Sequence, residues 1–165
     1  MLSGHWSDGT GLQKEGFMSL LQMAQQLKQI HPDYVLIYKV GVFYNTYGKD
    51  SYIIASNFNY AINMKGNIAI CGVSKKAIGK VTAKLEEKKI NYLIIDPRNN
   101  YDVEVKSDNK NLNTYNKEFE KAYLIEKHKR KIHRIVEKLS EYVGKNEFPE
   151  IIQRMEEILN ENREI

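Results

Sequence analysis

The sequence predicts an α/β domain, a mixed β-sheet flanked by helices, followed by a C-terminal helical hairpin. Apolar and aromatic runs of strand length alternate with amphipathic helical segments through Ile95, an order typical of layered α/β structures. The turn predicted at 96–100 is too short for a crossover, so the strands on either side of it are expected to pair antiparallel. A polar, asparagine-rich stretch at 106–116 then precedes two long amphipathic segments.

Periodicity and turn residues place the individual elements. Residues 1–12 are rich in glycine and serine, and we expect them to be flexible. Apolar residues recur at helical spacing over 14–30, and the His31-Pro32-Asp33 sequence ends that helix. The elements expected next are a strand from 34, a helix over 50–60, a turn at 64–67, a strand over 68–73, a helix from Ser74 to about 88, and strands over 90–95 and 101–105. Ser74 is expected to cap its helix.

The C-terminal third predicts two helices, at 117–143 and 147–162, with Gly144 suited to end the first. Each carries an apolar stripe that can face the other, which is typical of a helical hairpin. We therefore expect a flexible N-terminus at 1–12, an α/β domain at 13–105, a linker at 106–116 and the helical hairpin at 117–165.

The chain is organised around residues 34–50. Gly41 interrupts a β-branched and aromatic run there, as a bulge or a close backbone approach would require. Beyond it, on an extended segment, Phe43 and Asn45 share one face while Tyr44 lies on the other. One face can therefore present an aromatic ring beside a small polar group. The alternative is that Phe43 is a core ring.

Composition and motifs argue against several classes of protein. The 165 residues carry a formal net charge of +4. They include one cysteine, and a single cysteine rules out a disulfide framework or a multi-cysteine zinc site. The apolar runs are too short to cross a membrane, and no secretory signal is recognisable at the start, which predicts a cytoplasmic protein. The glycines of 41–50 lack the spacing of a phosphate loop. We find no motif for catalysis, a metal or a cofactor, and expect no enzyme.

Two basic segments each allow two interpretations. The segment 127–134 contains five lysines and arginines, which either contact phosphates or pair with glutamates of the last helix, and we favour the pairing. The lysines of 75–89, among them Lys75, Lys76 and Lys80, have fewer carboxylates nearby. They form either a solvated helix face or a patch beside a nucleic-acid surface.

The order of the segments leads to a family. A helix is followed by His31-Pro32-Asp33 and by an apolar strand that leads into the sequence from Tyr38 to Tyr47, YKVGVFYNTY. Further on, Ala69-Ile70-Cys71-Gly72-Val73 is similar to the strand Met-Ala-Gly-Ile/Val-Pro of the family. With these features, about 17–96 resembles the N-terminal mismatch-recognition domain of the MutS family of DNA mismatch-repair proteins.

The resemblance implies a site. In that family the phenylalanine of a Phe-x-Glu motif wedges into the minor groove against a mispaired base, and the glutamate hydrogen-bonds the same base. Phe43 stands at the wedge position, Asn45 replaces the glutamate, and Val42 replaces an aspartate. An amide can still contact a base edge, although the change is equally compatible with lost mismatch sensing. Supporting contacts are expected from Tyr44, Tyr47, Lys75, Lys76 and Lys80.

Three functional hypotheses follow. The first is a non-enzymatic module, separate from the ATPase domain of the family, that binds double-stranded DNA and probes mispaired or distorted duplex. The second is a protein-interaction or oligomerisation adaptor that uses the helical hairpin for a protein partner or a second copy, with the α/β domain as a degenerate scaffold. The third is a nucleic-acid accessory that prefers single strands or hybrids through ring stacking.

Overall fold

The computed structural model describes residues 10–161, without the side chains of residues 10–15, 17, 18 and 111. The elements within that range are α1 (Thr10–Ile30), β1 (Val35–Val40), β2 (Phe43–Tyr47), α2 (Lys49–Phe58), β3 (Asn63–Lys65), β4 (Ile68–Ser74), α3 (Ile78–Glu87), β5 (Tyr92–Asp96), β6 (Asp102–Ser107), a 3-10 turn (Lys110–Leu112), α4 (Tyr115–Ser140) and α5 (Phe148–Glu161). Most of the N-terminus predicted to be flexible, residues 1–9, lies outside the described residues, and Thr10 already belongs to α1.

The strands form one mixed sheet in the order β3-β4-β2-β1-β5-β6. β1 pairs with β5 in parallel, whereas the other neighbouring strands pair antiparallel. The mixed sheet and the antiparallel pairing across 96–100 are thus confirmed. Because β1, β4 and β5 run in the same direction, their C-terminal ends lie at the same edge of the sheet.

Gly41 belongs to a tight turn between β1 and β2. Val40 pairs with Phe43, which leaves Gly41 and Val42 as a two-residue loop. Gly41 has a φ of 62° while Val42 keeps a negative φ, the combination found in type II′ hairpin turns. The interpretation as a bulge or a close approach is wrong, because a Cβ at Gly41 would have no atom within 4 Å.

Two further local expectations are corrected. Residues 64–67 are not wholly a turn, because Met64 and Lys65 belong to β3 and pair with β4, leaving Gly66 and Asn67 between the strands. Ser74 does not cap a helix. It is the last residue of β4 and pairs with Phe43, and its carbonyl accepts a hydrogen bond from the Ala77 N–H at 2.9 Å before α3 begins at Ile78.

Helices cover the two faces of the sheet unequally. On one face α2 and α3 pack against the strands around Val35 and Ile37. On the other face α1 packs through Ala24 against Leu36 and Tyr38 of β1 and against two residues of β5. The alternation along β2 sends its odd-numbered residues to the α1 face and its even-numbered residues to the α2–α3 face.

Asp50, in the first turn of α2, connects four elements through a buried network. Its Oδ1 accepts hydrogen bonds from Lys28 Nζ at 2.7 Å and from the Tyr115 hydroxyl at 2.6 Å. Its Oδ2 accepts the Leu36 N–H at 3.0 Å. Burial raises the pKa of the Asp50 carboxyl and lowers the pKa of the Lys28 ammonium, while the attraction between the two groups opposes both shifts.

The segment predicted to be a linker is bonded to the α/β domain. β6 continues to Ser107, and the Asn91 side chain accepts the Asn109 N–H at 2.6 Å. Thr114 donates to the Lys88 carbonyl at 2.6 Å, and Tyr115 is buried in the Asp50 network. Contacts divide the chain into two compact units, Met1–Leu124 and Ile125–Ile165, with the division inside α4.

The second unit contains the remainder of α4, a connection at 141–147 and α5. α4 ends at Ser140, earlier than expected, and Gly144 lies in the connection with a φ of 85°. Among residues 10–161, no helix has both the length and the apolar character that crossing a membrane requires.

Replacing Asp50 by alanine is expected to lower the free energy of unfolding by about 3–5 kcal/mol, because the partly buried ammonium of Lys28 loses its counter-charge and the buried Tyr115 hydroxyl and Leu36 N–H lose their acceptor. Urea denaturation followed by circular dichroism measures the loss. Lys84→Ala is the control, since it removes an exposed ion pair with Glu87 and is expected to cost less than about 1 kcal/mol. An equally small loss for Asp50→Ala would contradict the stabilising role of the network.

Candidate nucleic-acid interface

Three connections meet at one edge of the sheet, which we call the Phe43 edge. They are the β1–β2 turn at 41–42, the β4–α3 turn at 75–77 and the β5–β6 turn at 97–101. They lie together because β1, β4 and β5 all end there. The Asp50 network lies at the opposite edge, where β1 begins.

Phe43 is exposed at this edge. Its surface is 53% exposed, and the neighbouring Val42 in the turn is 68% exposed. The backbone of Phe43 pairs with Val40 on one side and with Ser74 on the other. The ring therefore projects from the first residue of a central strand rather than from a loop. This exposure rules out the alternative in which Phe43 is a core ring.

Asn45 follows Phe43 on the α1 face, about 7 Å further along the strand. It pairs with Tyr38 of β1 and Gly72 of β4. A Cβ at Gly72 would lie 3.5 Å from Asn45 Oδ1, so the amide lies beside a stretch of bare backbone. The structure therefore brings Phe43 and Asn45 together on one face, next to a position where no side chain blocks access.

The two tyrosines of β2 lie elsewhere. Tyr44 points to the α2–α3 face and packs against the core there. Tyr47 is at the far end of β2, half-buried on the α1 face, with its ring centroid 5.5 Å from that of Tyr38. Burial raises the pKa of Tyr47, and a hydrogen bond with the Asn45 side chain opposes the shift. The structure does not place either ring beside Phe43.

The lysines predicted as contacts lie close to the Phe43 edge. Lys75 and Lys76 are exposed in the turn directly after Ser74, the partner of Phe43, and Lys80 is exposed in the first turn of α3. None of the carboxylates whose side chains the structure describes forms an ion pair with these three lysines. The N-terminus of α3 adds its partial positive charge, so this half of the edge attracts anions.

The β5–β6 half of the edge is electrostatically balanced. Lys39 pairs with Asp96 at 3.2 Å and with Glu104 at 2.9 Å, and Arg98 pairs with Asp96 at 3.4 Å. Hydrogen bonds from Arg98, assisted by Lys39, lower the pKa of Asp96 to about 2 and keep it charged. Sequence reasoning missed this arrangement, because Lys39 and Asp96 meet only through the parallel pairing of β1 and β5.

A cavity of about 280 Å³ lies between α1 and the sheet. Tyr38 and Tyr47 line it, together with Leu21, Ala24 and Leu36. It lies toward the end of β2 away from Phe43, so it is separate from the Phe43 edge. Within the part of the chain that the structure describes, no group of three or more His, Cys, Asp or Glu residues is arranged to hold a metal ion.

The fold and the Phe43 edge define an α/β domain with an exposed ring and a neighbouring amide in the middle of a mixed sheet. The family model for MutS domain I matches residues 19–138, and the chain belongs to this family. Membership implies DNA mismatch recognition at the level of the family, and MutS domain I binds DNA. No curated protein matches the chain.

The match extends beyond the region on which the sequence resemblance rests. It continues past 96, through the polar segment 106–116, to residue 138 in α4. The sequence analysis leaves both C-terminal helices outside the matched domain, whereas most of α4 is inside it. The hydrogen bonds that hold 107–115 against the sheet agree with this wider extent.

Asp96 gives the stability of the domain a specific pH dependence. Its pKa lies at about 2, below its usual 3.8, so its stabilising contribution is present above pH 3.8 and lost as the pH falls through 2. We expect the difference in urea midpoint between wild type and Asp96→Asn to shrink as the pH is lowered through this window. A difference that stays constant would show that Asp96 does not titrate as proposed.

Proposed function

We propose that this protein is a DNA-binding module that recognises mispaired or distorted duplex with Phe43 as a wedge. The observation that carries the proposal is the position of Phe43. It is more than half exposed on a strand of the sheet, at the place where the family has its wedge. The proposed activity is binding alone, without a catalytic step.

A wedge must be rigid, and the location of Phe43 provides that. β2 lies between β1 and β4, so hydrogen-bonded strands hold the backbone on both sides. An apolar side chain that enters the minor groove must unstack one base step at a cost of a few kcal/mol. A mismatched pair is already weakened and costs less to open. The wedge therefore favours mismatched duplex over matched duplex.

Asn45 is proposed to contact the edge of the base against which Phe43 stacks. The two side chains share a face, and Gly72 leaves the surface beside Asn45 open. A neutral amide donates and accepts hydrogen bonds, so it can satisfy different base edges. Unlike the glutamate of the family pattern, Asn45 brings no negative charge toward the phosphates.

The lysines are proposed to contact the DNA backbone. Lys75 and Lys76 follow the strand that pairs with Phe43, and Lys80 lies on the first turn of the next helix. Such contacts supply affinity and orientation without sequence information. Tyr44 and Tyr47 pack into the two faces of the sheet, and we assign them to supporting the strand rather than to touching DNA.

The wedge is tested by fluorescence anisotropy at one fixed, near-physiological salt concentration. The probes are a matched duplex, the same duplex with one mismatch, and a single strand. Phe43→Ala is expected to weaken binding to the mismatch by roughly one to two orders of magnitude, the size of a base–aromatic stacking contribution of about 1–3 kcal/mol. Binding to the matched duplex, which rests on phosphates, is expected to change little.

Leu112→Ala is the matched control, because Leu112 is an apolar residue 61% exposed outside the Phe43 edge. Its affinities for the three probes should equal those of wild type. Equal affinity of wild type for matched and mismatched duplex would overturn mismatch recognition. A preference for the single strand would favour the third hypothesis, recognition by stacking on unpaired bases.

The lysines are tested by salt dependence. Each phosphate contact contributes about 0.9 to the slope of log K against log salt. Replacing Lys75 and Lys76 together by alanine is therefore expected to reduce that slope by about two and to weaken matched and mismatched binding alike. The control replaces Lys117 and Lys121 of α4, which are exposed near the opposite edge. An equal reduction in both double variants would show a diffuse charge effect instead of a site.

A second candidate function is favoured by one observation. In the unit Ile125–Ile165, several large apolar residues of α4 and α5 are exposed. Such a surface suits an adaptor that binds another protein or a second copy. The Phe43 edge belongs to the other unit, Met1–Leu124.

A further inference from the structure

The part of α4 within the second unit carries an apolar stripe with coiled-coil spacing. Its positions alternate by three and four residues, which keeps them on one side of the helix. They are Ile125, Ile132, Ile135 and Leu139, with His128 between the first two, and Val136 lies in the row next to them. The corresponding stripe of α5 is Phe148, Ile151, Ile152, Met155, Ile158 and Leu159. Both helices therefore have the pattern of helices that bury one side in a bundle.

The stripes are only partly buried within one chain. Near the connection, Leu139 and Phe148 are half-buried. Further from it, Ile132 is 60% exposed, Val136 53% and Leu159 63%. These three exposed residues therefore belong to the same two stripes.

Two helices cannot bury stripes of this width by themselves. α5 is about 21 Å long, and its apolar side covers two adjacent rows of residues. A second pair of helices would cover the exposed rows and complete a four-helix bundle, in which each helix has two neighbours. The partner that would cover the exposed rows is therefore another pair of helices.

Charge indicates which helical pair fits. From 125 to 140, α4 contains six lysines and arginines against two glutamates. α5 contains four glutamates against one arginine. Two α4 helices side by side would repel each other, and so would two α5 helices. A second copy that places its α5 beside α4, and its α4 beside α5, makes two attractive contacts through one two-fold axis.

We propose that residues 125–161 form a dimerisation module, in which two copies of this chain assemble a four-helix bundle with α4 of each copy beside α5 of the other. The apolar stripes form the core of the bundle, and the opposite charges of α4 and α5 set the pairing. The interaction is independent of the Phe43 edge and of DNA.

Sedimentation equilibrium of the full chain tests the association. Wild type is expected to reach twice the mass of the chain at micromolar concentration. The double variant Ile132→Gln/Val136→Gln keeps helix-compatible residues, and it is expected to raise the dissociation constant at least about 100-fold, because a symmetric dimer loses each apolar residue twice. Leu112→Gln, an equally exposed change outside the two helices, should leave the constant unchanged, and circular dichroism should show wild-type helix content for both variants.

A mixing experiment separates pairing between copies from pairing within one chain. One variant carries Lys127→Glu, Lys131→Glu and Lys138→Glu on α4, which leaves three basic residues against five glutamates over 125–140, so that both of its helices are acidic. The other carries Glu156→Lys and Glu161→Lys on α5, which makes both helices basic. Each variant alone is expected to stay monomeric, and an equimolar mixture is expected to form a heterodimer.

Three results would overturn the proposal. Wild type could remain monomeric at the highest soluble concentration, which would leave the stripes to a different protein. Each reversed variant could dimerise as tightly as wild type, or the mixture could fail to associate. Either outcome would show that α4 does not pair with α5 of a second copy.

Discussion

The buried carboxylate of Asp50 is the constraint on which the rest of the domain depends. A charged group without water requires several partners, and Asp50 obtains them from α1, β1 and α4. Chain segments far apart in sequence must therefore meet at one point, at the start of β1. The network thus holds the edge of the sheet opposite the Phe43 edge, where Val42 and Phe43 are exposed.

The type II′ turn at Gly41 and Val42 determines which side chains face outward at the Phe43 edge. With a two-residue loop, Val40 pairs with Phe43, and Phe43 and Asn45 share the α1 face. A shift of one residue in this register would exchange the faces. Tyr44 would then project where Phe43 does, and the polar Thr46 would leave its buried hydrogen bonds to Ser51 and the Cys71 carbonyl. The core on the α2–α3 face thus fixes the position of the exposed ring.

The sequence predicts those elements that depend on residues close to one another along the chain. Apolar periodicity locates both C-terminal helices and the longer strands, and alternation assigns Phe43 and Asn45 to one face. The turn at Gly41 could also have been predicted from the sequence, because glycine at the first position of a two-residue loop is typical of type II′ turns. Other features have no local signal. The polar segment 106–116 has the composition of a linker. Its asparagines bond to backbone and side chains of the domain, but those groups come near only in the folded chain, so the sequence alone does not reveal the bonds.

The charge distribution along the Phe43 edge gives the proposed binding a direction. On the β5–β6 half, Asp96 and Glu104 engage Lys39 and Arg98, so a phosphate there would compete with carboxylates already in place. On the β4–α3 half, Lys75 and Lys76 have no such carboxylates among the side chains that the structure describes. A duplex whose backbone lies along the lysines brings its groove over Phe43, which stands in the adjacent strand. In the proposed binding mode, balanced charge on one side and excess positive charge on the other orient the DNA as well as attract it.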